Sequence, residues 1–271
     1  MAENKNYNIS IVVPVHNEEL RVERGILRIC EYFDSKKYDY EVIIAEDGSK
    51  DKTVELIEGL AKRNSRIIVI SSSNRLGKGR AISEAMLHAK KDFVGYMDVD
   101  LAADPSEFER LIERIRDYDI AIGSRLLRES LPAINRPFYR TVTSFFYSRF
   151  YRILFHNFIV DPQCGFKLFK KDIIQKLFSE IKTTGFAFDS EVIVKAFSLD
   201  LRIIEVAIIW SHEKASKLKV SEQIQQMGKE LIMIWYESHV LWLEGKKIYA
   251  QKRGSICGKF LFWVIKMIKK D

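Results

Sequence analysis

The sequence is poor in cysteine and offers no pattern of metal-binding histidines. Its three cysteines, Cys30, Cys164 and Cys257, lie far apart and form no Cys-x-x-Cys pair. An odd number at such spacing argues against both a disulfide framework and a zinc site. The five histidines also lack the spacing of metal ligands. We therefore expect a protein of a reducing compartment without structural zinc.

Long apolar runs are also missing. No stretch of about 18 uncharged apolar residues occurs, because arginines or lysines interrupt the two most apolar segments, residues 142–160 and 256–268. Residues 1–8 are polar and contain no apolar signal region. We therefore expect no membrane-spanning helix and no secretory leader, and we predict a cytoplasmic protein.

The composition is that of a folded protein with an anionic partner. Hydrophobic residues make up 47% of the 271 positions and charged residues 30%, which is enough to fill the core of one large or two small domains. Lysine and arginine outnumber aspartate and glutamate by 44 to 37, a net charge of +7. This charge suits a nucleotide, a phospholipid headgroup or a nucleic acid and does not choose among them.

Short apolar segments alternate with helical patterns in the first half of the chain. The predicted strands are residues 9–13, 41–45, 66–71, 93–97 and 120–123, with Pro14 ending the first of them. Turn residues and then helical spacing follow each of the first four. We predict an α/β fold with a mostly parallel, Rossmann-like sheet and helices on both faces. Such sheets bind ligands beyond the carboxyl ends of their strands.

Two Asp-x-Asp sequences differ in their position relative to the strands. Asp98 and Asp100 follow the predicted strand 93–97, at the ligand-binding edge, whereas Asp117 and Asp119 precede a strand and are interpreted as a solvated helix end. Paired carboxylates can hold Mg²⁺ or Mn²⁺ and leave coordination positions for diphosphate oxygens. We therefore predict that Asp98 and Asp100 are metal ligands.

Two further loops at strand ends each allow a structural and a functional interpretation. Asp47 lies in a Glu-Asp-Gly-Ser turn, where its carboxylate either shapes the turn or accepts hydrogen bonds from a base or ribose. Gly77 and Lys78 lie in a Gly-Lys-Gly loop that matches neither the dinucleotide-binding pattern nor the Walker pattern. This loop is either a plain connection or a flexible segment that brings a cation to a diphosphate.

The second half of the chain contains an aromatic and basic segment followed by two amphipathic patterns. Nine of the 21 residues 138–158 are aromatic, and arginines occur at positions 136, 140, 149 and 152. Residues 221–243 and 255–270 have the pattern of amphipathic helices bordered by lysine. The pattern leaves open whether these helices pack on the sheet, form a dimer contact or lie on a membrane surface.

Several longer motifs resemble one enzyme family. Val-Val-Pro-Val-His-Asn-Glu-Glu at 12–19, Glu-Asp-Gly-Ser at 46–49 and Met-Asp-Val-Asp at 97–100 resemble the family-2 inverting glycosyltransferases of the GT-A fold. More narrowly, four motifs resemble the dolichyl-phosphate β-glucosyltransferases and their polyprenyl-phosphate mannosyl relatives: Gly-Ser-Arg at 123–125, Asp-Pro-Gln-Cys-Gly-Phe-Lys-Leu-Phe at 161–169, Phe-Asp-Ser-Glu at 188–191 and Gln-Met-Gly-Lys-Glu at 226–230. The resemblance covers about residues 9–235.

The resemblance implies inverting transfer of a hexose, with glucose preferred, from a nucleotide sugar to dolichyl or polyprenyl phosphate. UDP-glucose is the expected donor and GDP-mannose the alternative. Residues 1–212 would form the GT-A catalytic domain, with a nucleotide-sugar and metal half (1–130) and an acceptor half (131–212). Residues 213–271 would form amphipathic helices for membrane docking or dimer formation.

The resemblance also implies roles for individual residues. The nucleotide-sugar-binding residues would be Pro14, Glu18, Asp47, Gly77, Lys78 and Asp98, and the ligands of Mg²⁺ or Mn²⁺ would be Asp98 and Asp100. The acceptor phosphate would be bound by Arg125, Arg136 and Arg140, because guanidinium groups suit phosphate oxygens. The catalytic candidates are Asp161, Asp189 and Arg125. Asp161 is the preferred base if one is used, although a phosphate monoester is already largely dianionic at neutral pH.

A polyprenyl tail keeps the acceptor in the bilayer, so the resemblance implies an enzyme attached peripherally to the cytoplasmic face of a membrane, with homo-oligomer formation left open. One alternative keeps the fold but uses a soluble saccharide or protein hydroxyl as acceptor, which would require a positioned base. A second alternative is a basic protein that binds nucleic acid or anionic membrane without catalysis. We expect no nucleic-acid partner, because the acidic residues of the predicted crevice would repel a phosphate backbone.

Overall fold

Seven strands form one mixed sheet in the computed structural model, which describes residues 7–130, 138–211 and 220–238. The strands are β1 (Asn8–Val15), β2 (Asp39–Asp47), β3 (Ile67–Ser72), β4 (Phe93–Met97), β5 (Ile120–Ser124), β6 (Phe166–Lys170) and β7 (Ile203–Ala207). The helices are α1 (Val22–Ser35), α2 (Thr53–Arg63), α3 (Lys78–His88), α4 (Phe108–Ile115), α5 (Phe138–Phe155), α6 (Lys171–Phe178), α7 (Phe188–Ser198) and α8 (Val220–Tyr236).

The order of the strands brings one loop from the second half of the chain to the ligand-binding edge. The sheet runs β3-β2-β1-β4-β6-β5-β7, and β6 is antiparallel to both of its neighbours, while the other pairs are parallel. Met97 at the carboxyl end of β4 pairs with Phe166 at the amino end of β6. The residues just before β6 therefore lie at the same edge as the carboxyl ends of the parallel strands.

The predicted α/β fold with a mostly parallel sheet is confirmed, but the prediction that Pro14 ends the first strand is wrong. β1 continues through Pro14 to Val15 and pairs with β2 along this length. Its pairing with β4 stops at Val12. Proline lacks an N–H group and is tolerated where a strand has only one neighbour left.

β6 and β7 were not predicted, and both carry a charged residue in the middle of a short apolar segment. β6 contains Lys167 and β7 contains Glu205, and each strand is only five residues long. Strands are recognised in a sequence by runs of apolar or alternating residues, and a central charge interrupts such a run. In the folded protein Lys167 pairs with Asp189, and the Glu205 carboxylate accepts hydrogen bonds from the backbone N–H groups of Val160 (2.7 Å) and Asp161 (2.8 Å).

Both faces of the sheet are covered. The side chains of Ile9, Ile11 and Val13 alternate along β1 and lie in the main core cluster together with residues of α1, α2 and α4. Val12 points to the other face and is also fully buried. A sheet covered on both faces exposes its polar backbone groups at the strand ends, which directs ligand binding to the edge described above.

The described part of the C-terminal region is helical. α8 falls within the amphipathic pattern predicted for residues 221–243, whereas the second pattern, residues 255–270, lies outside the described residues. The chain divides into two compact units, one ending at Leu231 and the other beginning at Ile232. Within the described residues, none of the helices has the length and apolar character needed to span a bilayer.

The core packing of α4 leads to a stability prediction. Phe108 is fully buried, with its ring centroid 4.2 Å from that of Phe166 and 5.9 Å from that of Phe33. The change Phe108→Ala should lower the free energy of unfolding by about 3–5 kcal/mol, because it leaves a cavity between these rings. Urea unfolding followed by tryptophan fluorescence measures this loss.

The matched control is Phe146→Ala on α5, where the side chain is 65% exposed. This change should alter the free energy of unfolding by no more than about 0.5 kcal/mol. Equal losses in the two variants would contradict the assignment of Phe108 to the core.

Candidate active site

The carboxylate of Asp47 at the end of β2 holds the loop that carries Lys78. Its Oδ1 accepts hydrogen bonds from the backbone N–H groups of Leu76 (2.5 Å) and Gly77 (3.1 Å), and its Oδ2 accepts from Gly77 (3.0 Å). Asp47 is buried, so these bonds replace the water that the carboxylate would otherwise bind. The structure therefore gives Asp47 a supporting role, and its predicted contact with the nucleotide stays a prediction.

The turn after β2 is tied to the end of β1. Glu46, also buried, accepts hydrogen bonds from the backbone of Ser49 (2.5 Å) and from the hydroxyl of Ser71. His16 Nδ1 lies 2.6 Å from the carbonyl oxygen of Asp47, and the N–H of Asn17 donates to Ser49 Oγ at 2.9 Å. His16 joins the two loops that flank the predicted nucleotide pocket.

Pro14 and Glu18 lie at the same edge. Pro14 is half-buried near the end of β1. The carboxylate of Glu18 accepts two hydrogen bonds from the guanidinium of Arg21, at 2.8 and 2.9 Å. Burial raises the pKa of Glu18, although Arg21 opposes this shift. The predicted contacts of both residues with the nucleotide stay predictions.

Asp98, Asp100 and Lys78 form a charged cluster beyond β4. Lys78 Nζ lies 2.6 Å from Asp98 Oδ1, and Asp100 Oδ1 accepts a hydrogen bond from the backbone of Ala102 at 3.0 Å. Burial, and then the neighbouring charge of Asp98, raises the pKa of Asp100. Burial lowers the pKa of Lys78, but the carboxylates of Asp98 and Asp189 outweigh it, and the net shift is upward. The cluster thus carries two acids close to one cation.

The loop that precedes β6, residues 161–165, packs directly against Asp98. A Cβ atom at Gly165 would collide with the Asp98 carboxylate, so this approach requires glycine. The residues Asp98, Arg125, Cys164, Gly165 and Trp210 are among those that line one small cavity. The structure therefore brings together a predicted metal ligand and a predicted acceptor-binding arginine, from segments far apart in the chain.

Arg125 and Asp161 form a bidentate ion pair. Arg125 Nε and Nη2 lie 2.8 and 2.9 Å from the two Asp161 oxygens, and the Arg125 backbone N–H donates to Asp161 Oδ2 at 2.9 Å. The guanidinium also lies over the ring of Trp210, 5.7 Å from its centroid. A guanidinium has five N–H donors, so this pairing leaves capacity for an anion. Burial raises the pKa of Asp161, but Arg125 outweighs burial, and the net shift is downward.

A buried lysine that sequence reasoning missed anchors the same loop. Lys167 is fully buried, and its Nζ donates to the carbonyl oxygens of Cys164 (2.7 Å) and Pro162 (3.1 Å) and pairs with the carboxylate of Asp189. Asp189 Oδ1 also accepts from the hydroxyl of Tyr96. Asp189, a predicted catalytic residue, is thus a structural anchor in this arrangement. The feature of the sequence that could have revealed this buried lysine is its position between apolar residues.

Two predicted acceptor-binding residues are not tested by the structure. Arg136 lies outside the described residues, and Arg140 belongs to α5 but its side chain is not among those described. Within the described residues there is also no group of three or more His, Cys, Asp or Glu side chains that could hold a metal ion. The metal-binding role of Asp98 and Asp100 stays a prediction.

The Arg125–Asp161 pair leads to a prediction with a defined pH dependence. Because the pKa of Asp161 is lower in the folded protein than in the unfolded chain, the pair stabilises the fold above the unfolded-state pKa. This contribution is lost as the pH falls through the folded-state pKa. Asp161→Asn should lower the free energy of unfolding at pH 7 by about 2 kcal/mol, less than for a fully buried pair because the Arg125 side chain is 25% exposed.

The difference between wild type and Asp161→Asn should begin to shrink below pH about 4, where the carboxyl group of the unfolded chain becomes neutral, and should disappear only below the lower folded-state pKa. Urea unfolding at pH 7, 5 and 3 measures it. Asp200→Asn, at an exposed position with positive φ that asparagine tolerates, is the matched control and should change little at any pH. A pH-independent loss in Asp161→Asn would contradict the ion-pair interpretation.

Comparison with known proteins identifies the family. The sequence model of "Glycosyl transferase family 2" matches residues 10–178. The dolichyl-phosphate beta-glucosyltransferase of Drosophila melanogaster is 31% identical over 249 residues, which cover 87% of this chain and 76% of that protein. Glycosyltransferase AglD of Haloferax volcanii is 32% identical over 233 residues, which cover 84% of this chain but only 37% of AglD.

Solved structures with the same fold include the glucosyl-3-phosphoglycerate synthase of Mycobacterium tuberculosis. Its complex with Mn²⁺, uridine diphosphate and phosphoglyceric acid gives a TM-score of 0.64 at 18% sequence identity and covers 84% of this chain and 78% of that one. At this identity the likeness concerns the fold, which is GT-A. From the match over residues 10–178 and the relatives at about 30% identity, the chain belongs to glycosyl transferase family 2 and is a glycosyltransferase.

Proposed function

We propose that the protein transfers glucose from UDP-glucose to dolichyl or another polyprenyl phosphate, with inversion at the anomeric carbon. Dolichyl-phosphate beta-glucosyltransferases of Drosophila melanogaster and Trichomonas vaginalis, at 31% and 30% identity, support this acceptor and this sugar. The structural observation that carries the proposal is the cavity shared by Asp98 and Arg125. It combines an acid suited to the donor's metal with a guanidinium suited to the acceptor phosphate.

The proposed reaction is a single displacement. An oxygen of the acceptor phosphate attacks the anomeric carbon, a new C–O bond forms, and the bond to the nucleoside diphosphate breaks. The leaving diphosphate takes the bonding electron pair. Lys78, placed beside Asp98 at the start of α3, would attract the diphosphate oxygens, and Arg125 would orient the attacking phosphate.

No strong base is required in this scheme, because the acceptor phosphate is largely dianionic at neutral pH. The environment of Asp161 fits this view. Both of its oxygens pair with Arg125, and its lowered pKa makes it a weak proton acceptor. We propose that Asp161 and Asp189 position Arg125 and the loop before β6. Asp161 would act as base only for an acceptor with a neutral hydroxyl group.

Asp98 and Asp100 would hold a divalent cation, Mg²⁺ or Mn²⁺. The raised pKa of Asp100 fits such a site, because burial and the charge of Asp98 leave the pair short of positive charge. The M. tuberculosis synthase with this fold was solved with Mn²⁺. When bound, the cation would neutralise charge on the departing diphosphate. Arg125 would bind the acceptor phosphate, with Arg136 and Arg140 as further candidates.

We also propose that the enzyme attaches to the cytoplasmic face of a membrane through the outer face of α5. Phe145, Phe146 and Ile153 on this face are 60–65% exposed, and Arg149 and Arg152 lie beside them. Exposed aromatic side chains next to cations suit an anionic bilayer surface.

The inner face of α5 contacts the active site. Tyr147 hydrogen-bonds Ser190, next to Asp189, and Ser148 donates to the carbonyl oxygen of Val160, next to Asp161. The same helix would therefore link the bilayer surface to the acceptor side of the site.

The two Asp-x-Asp sequences allow a matched test of the metal-binding acids. Transfer of radiolabelled glucose from UDP-glucose to dolichyl phosphate should fall by about 100-fold or more in Asp98→Asn and Asp100→Asn, because the diphosphate loses its stabilisation. Asp117→Asn, exposed and outside the site, should keep wild-type activity. Full activity of the Asp100 variant would remove the proposed metal role.

The same assay separates the alternatives for substrate. GDP-mannose replaces UDP-glucose in one arm, and a soluble saccharide replaces the lipid in another. Faster transfer from GDP-mannose would change the donor, and transfer without any lipid acceptor would change the acceptor class.

Membrane attachment is measured by cosedimentation with vesicles of phosphatidylcholine and phosphatidylglycerol. The double change Phe146→Ser and Ile153→Ser should weaken vesicle binding by about 10-fold or more, since each buried side chain contributes at least about 1 kcal/mol. Leu27→Ser on α1, also at an exposed apolar position, should bind as the wild type does. Equal binding of all three proteins would show that α5 does not carry the contact.

A further inference from the structure

The loop between α6 and α7, residues 181–187, supports the segment around Lys78. The carbonyl oxygen of Thr184 accepts a hydrogen bond from the N–H of Gly79 at 2.8 Å. A Cβ atom at Gly77 would lie 2.5 Å from the same oxygen, so the two backbones are in close contact. Lys78 Nζ lies 5.9 Å from the ring centroid of Phe186 in the same loop. The position of Lys78 therefore depends on where this loop lies.

Two carboxylates from outside the loop hold its backbone. Glu191 of α7 accepts hydrogen bonds from the N–H groups of Lys182 (3.0 Å) and Thr183 (2.7 Å) at the start of the loop. Glu230 of α8 accepts from the N–H of Ala187 (3.2 Å) at its end. The Glu230 carboxylate also packs on Gly185, where a Cβ atom would lie 2.5 Å from Oε1. Thr184 lies between these two attachment points.

We propose that Glu230 is a positioning residue for Lys78 and so for the diphosphate of the donor. The inference rests on the proposed function, in which Lys78 attracts the diphosphate. Glu230 acts through the backbone of the α6–α7 loop. Its carboxylate fixes Ala187, the residue before α7, where a negative charge also faces the positive end of the helix dipole. Through Thr184 this fixes Gly79 and the adjacent Lys78.

Glu230 lies on the helix that follows the catalytic sheet and is distant in sequence from both Lys78 and Asp98. Hydrogen bonds that a carboxylate accepts from backbone N–H groups are stronger than those between neutral groups. Loss of the Glu230 carboxylate should therefore loosen the loop and the Gly79–Thr184 hydrogen bond before it affects the acceptor side, where Arg125 is held independently by Asp161.

The test compares Glu230→Ala, Glu230→Gln and Glu180→Ala in the full-length protein. Glu230→Gln keeps an acceptor oxygen on a side chain of equal length but removes the charge, so its behaviour should lie between those of Glu230→Ala and the wild type. Glu180 lies just before the loop, is 77% exposed and pairs with Lys195, so its replacement is the matched control. A fourth variant, Gly185→Ala, displaces the Glu230 carboxylate without removing it and should behave like Glu230→Ala.

Two measurements are made on each variant. Hydrogen exchange of the peptide that contains Gly79 should be about five-fold faster in Glu230→Ala than in the wild type. The KM for UDP-glucose and the dissociation constant for UDP should rise about five-fold, while the KM for dolichyl phosphate stays within about two-fold. Unchanged exchange and unchanged UDP affinity in Glu230→Ala would overturn the proposal, as would an equal rise in both KM values.

The outcomes for the two proposals are separable. A wild-type protein that transfers no glucose would refute the proposed function, and hydrogen exchange would still test whether Glu230 positions the Gly79 segment. If Glu230→Ala fails to fold, the same two measurements on Gly185→Ala and Glu230→Gln test the positioning role instead. Wild-type hydrogen exchange and wild-type UDP affinity in Gly185→Ala would overturn it.

Discussion

The buried ammonium group of Lys167 holds the active-site edge together. It donates to the carbonyl oxygens of Pro162 and Cys164 and pairs with Asp189, so one charge fixes both the loop before β6 and the start of α7. A buried charge is tolerated only when its hydrogen-bonding capacity is met by partners of suitable geometry. Here two of the partners are backbone carbonyl oxygens of the loop, so the loop is tied to the buried lysine. The placement of Asp161 and Gly165, and through them of Arg125 and Asp98, follows from it.

Carboxylates serve two different purposes at this edge. Asp47, Glu191 and Glu230 accept hydrogen bonds from backbone N–H groups and shape the loops. Asp98 and Asp100 instead lie close together beside Lys78, and burial and mutual repulsion raise the pKa of Asp100. An arrangement of this kind favours an added cation. The shaping carboxylates hold the backbone, and the second pair supplies the charge that the proposed metal site requires.

The order of the strands explains how donor and acceptor groups meet. The residues assigned to the nucleotide sugar lie at or beyond the carboxyl ends of parallel strands in the first half of the chain, and Arg125, assigned to the acceptor, follows β5. Because β6 runs antiparallel between β4 and β5, its preceding loop reaches the edge where the parallel strands end. The reaction proposed above thus uses a meeting point that one reversed strand creates.

The first half of the fold could be predicted from the sequence, because its strands are mostly apolar runs without a central charge, followed by turn residues, and their carboxyl ends share one edge. That reasoning also placed Asp47, Lys78 and Asp98 at this edge. It failed at β6 and β7, since Lys167 and Glu205 interrupt the apolar pattern, and the partners that accommodate their charges include groups distant in sequence: Asp189 for Lys167, and the backbone of Val160 and Asp161 for Glu205. The sequence by itself thus determined the fold class, the family and the residue types of the site. Only the tertiary structure decided that Asp161 pairs with Arg125, that Asp189 anchors Lys167 and that Glu230 reaches the α6–α7 loop, because the energy of a charge depends on the partners that folding brings within hydrogen-bonding distance.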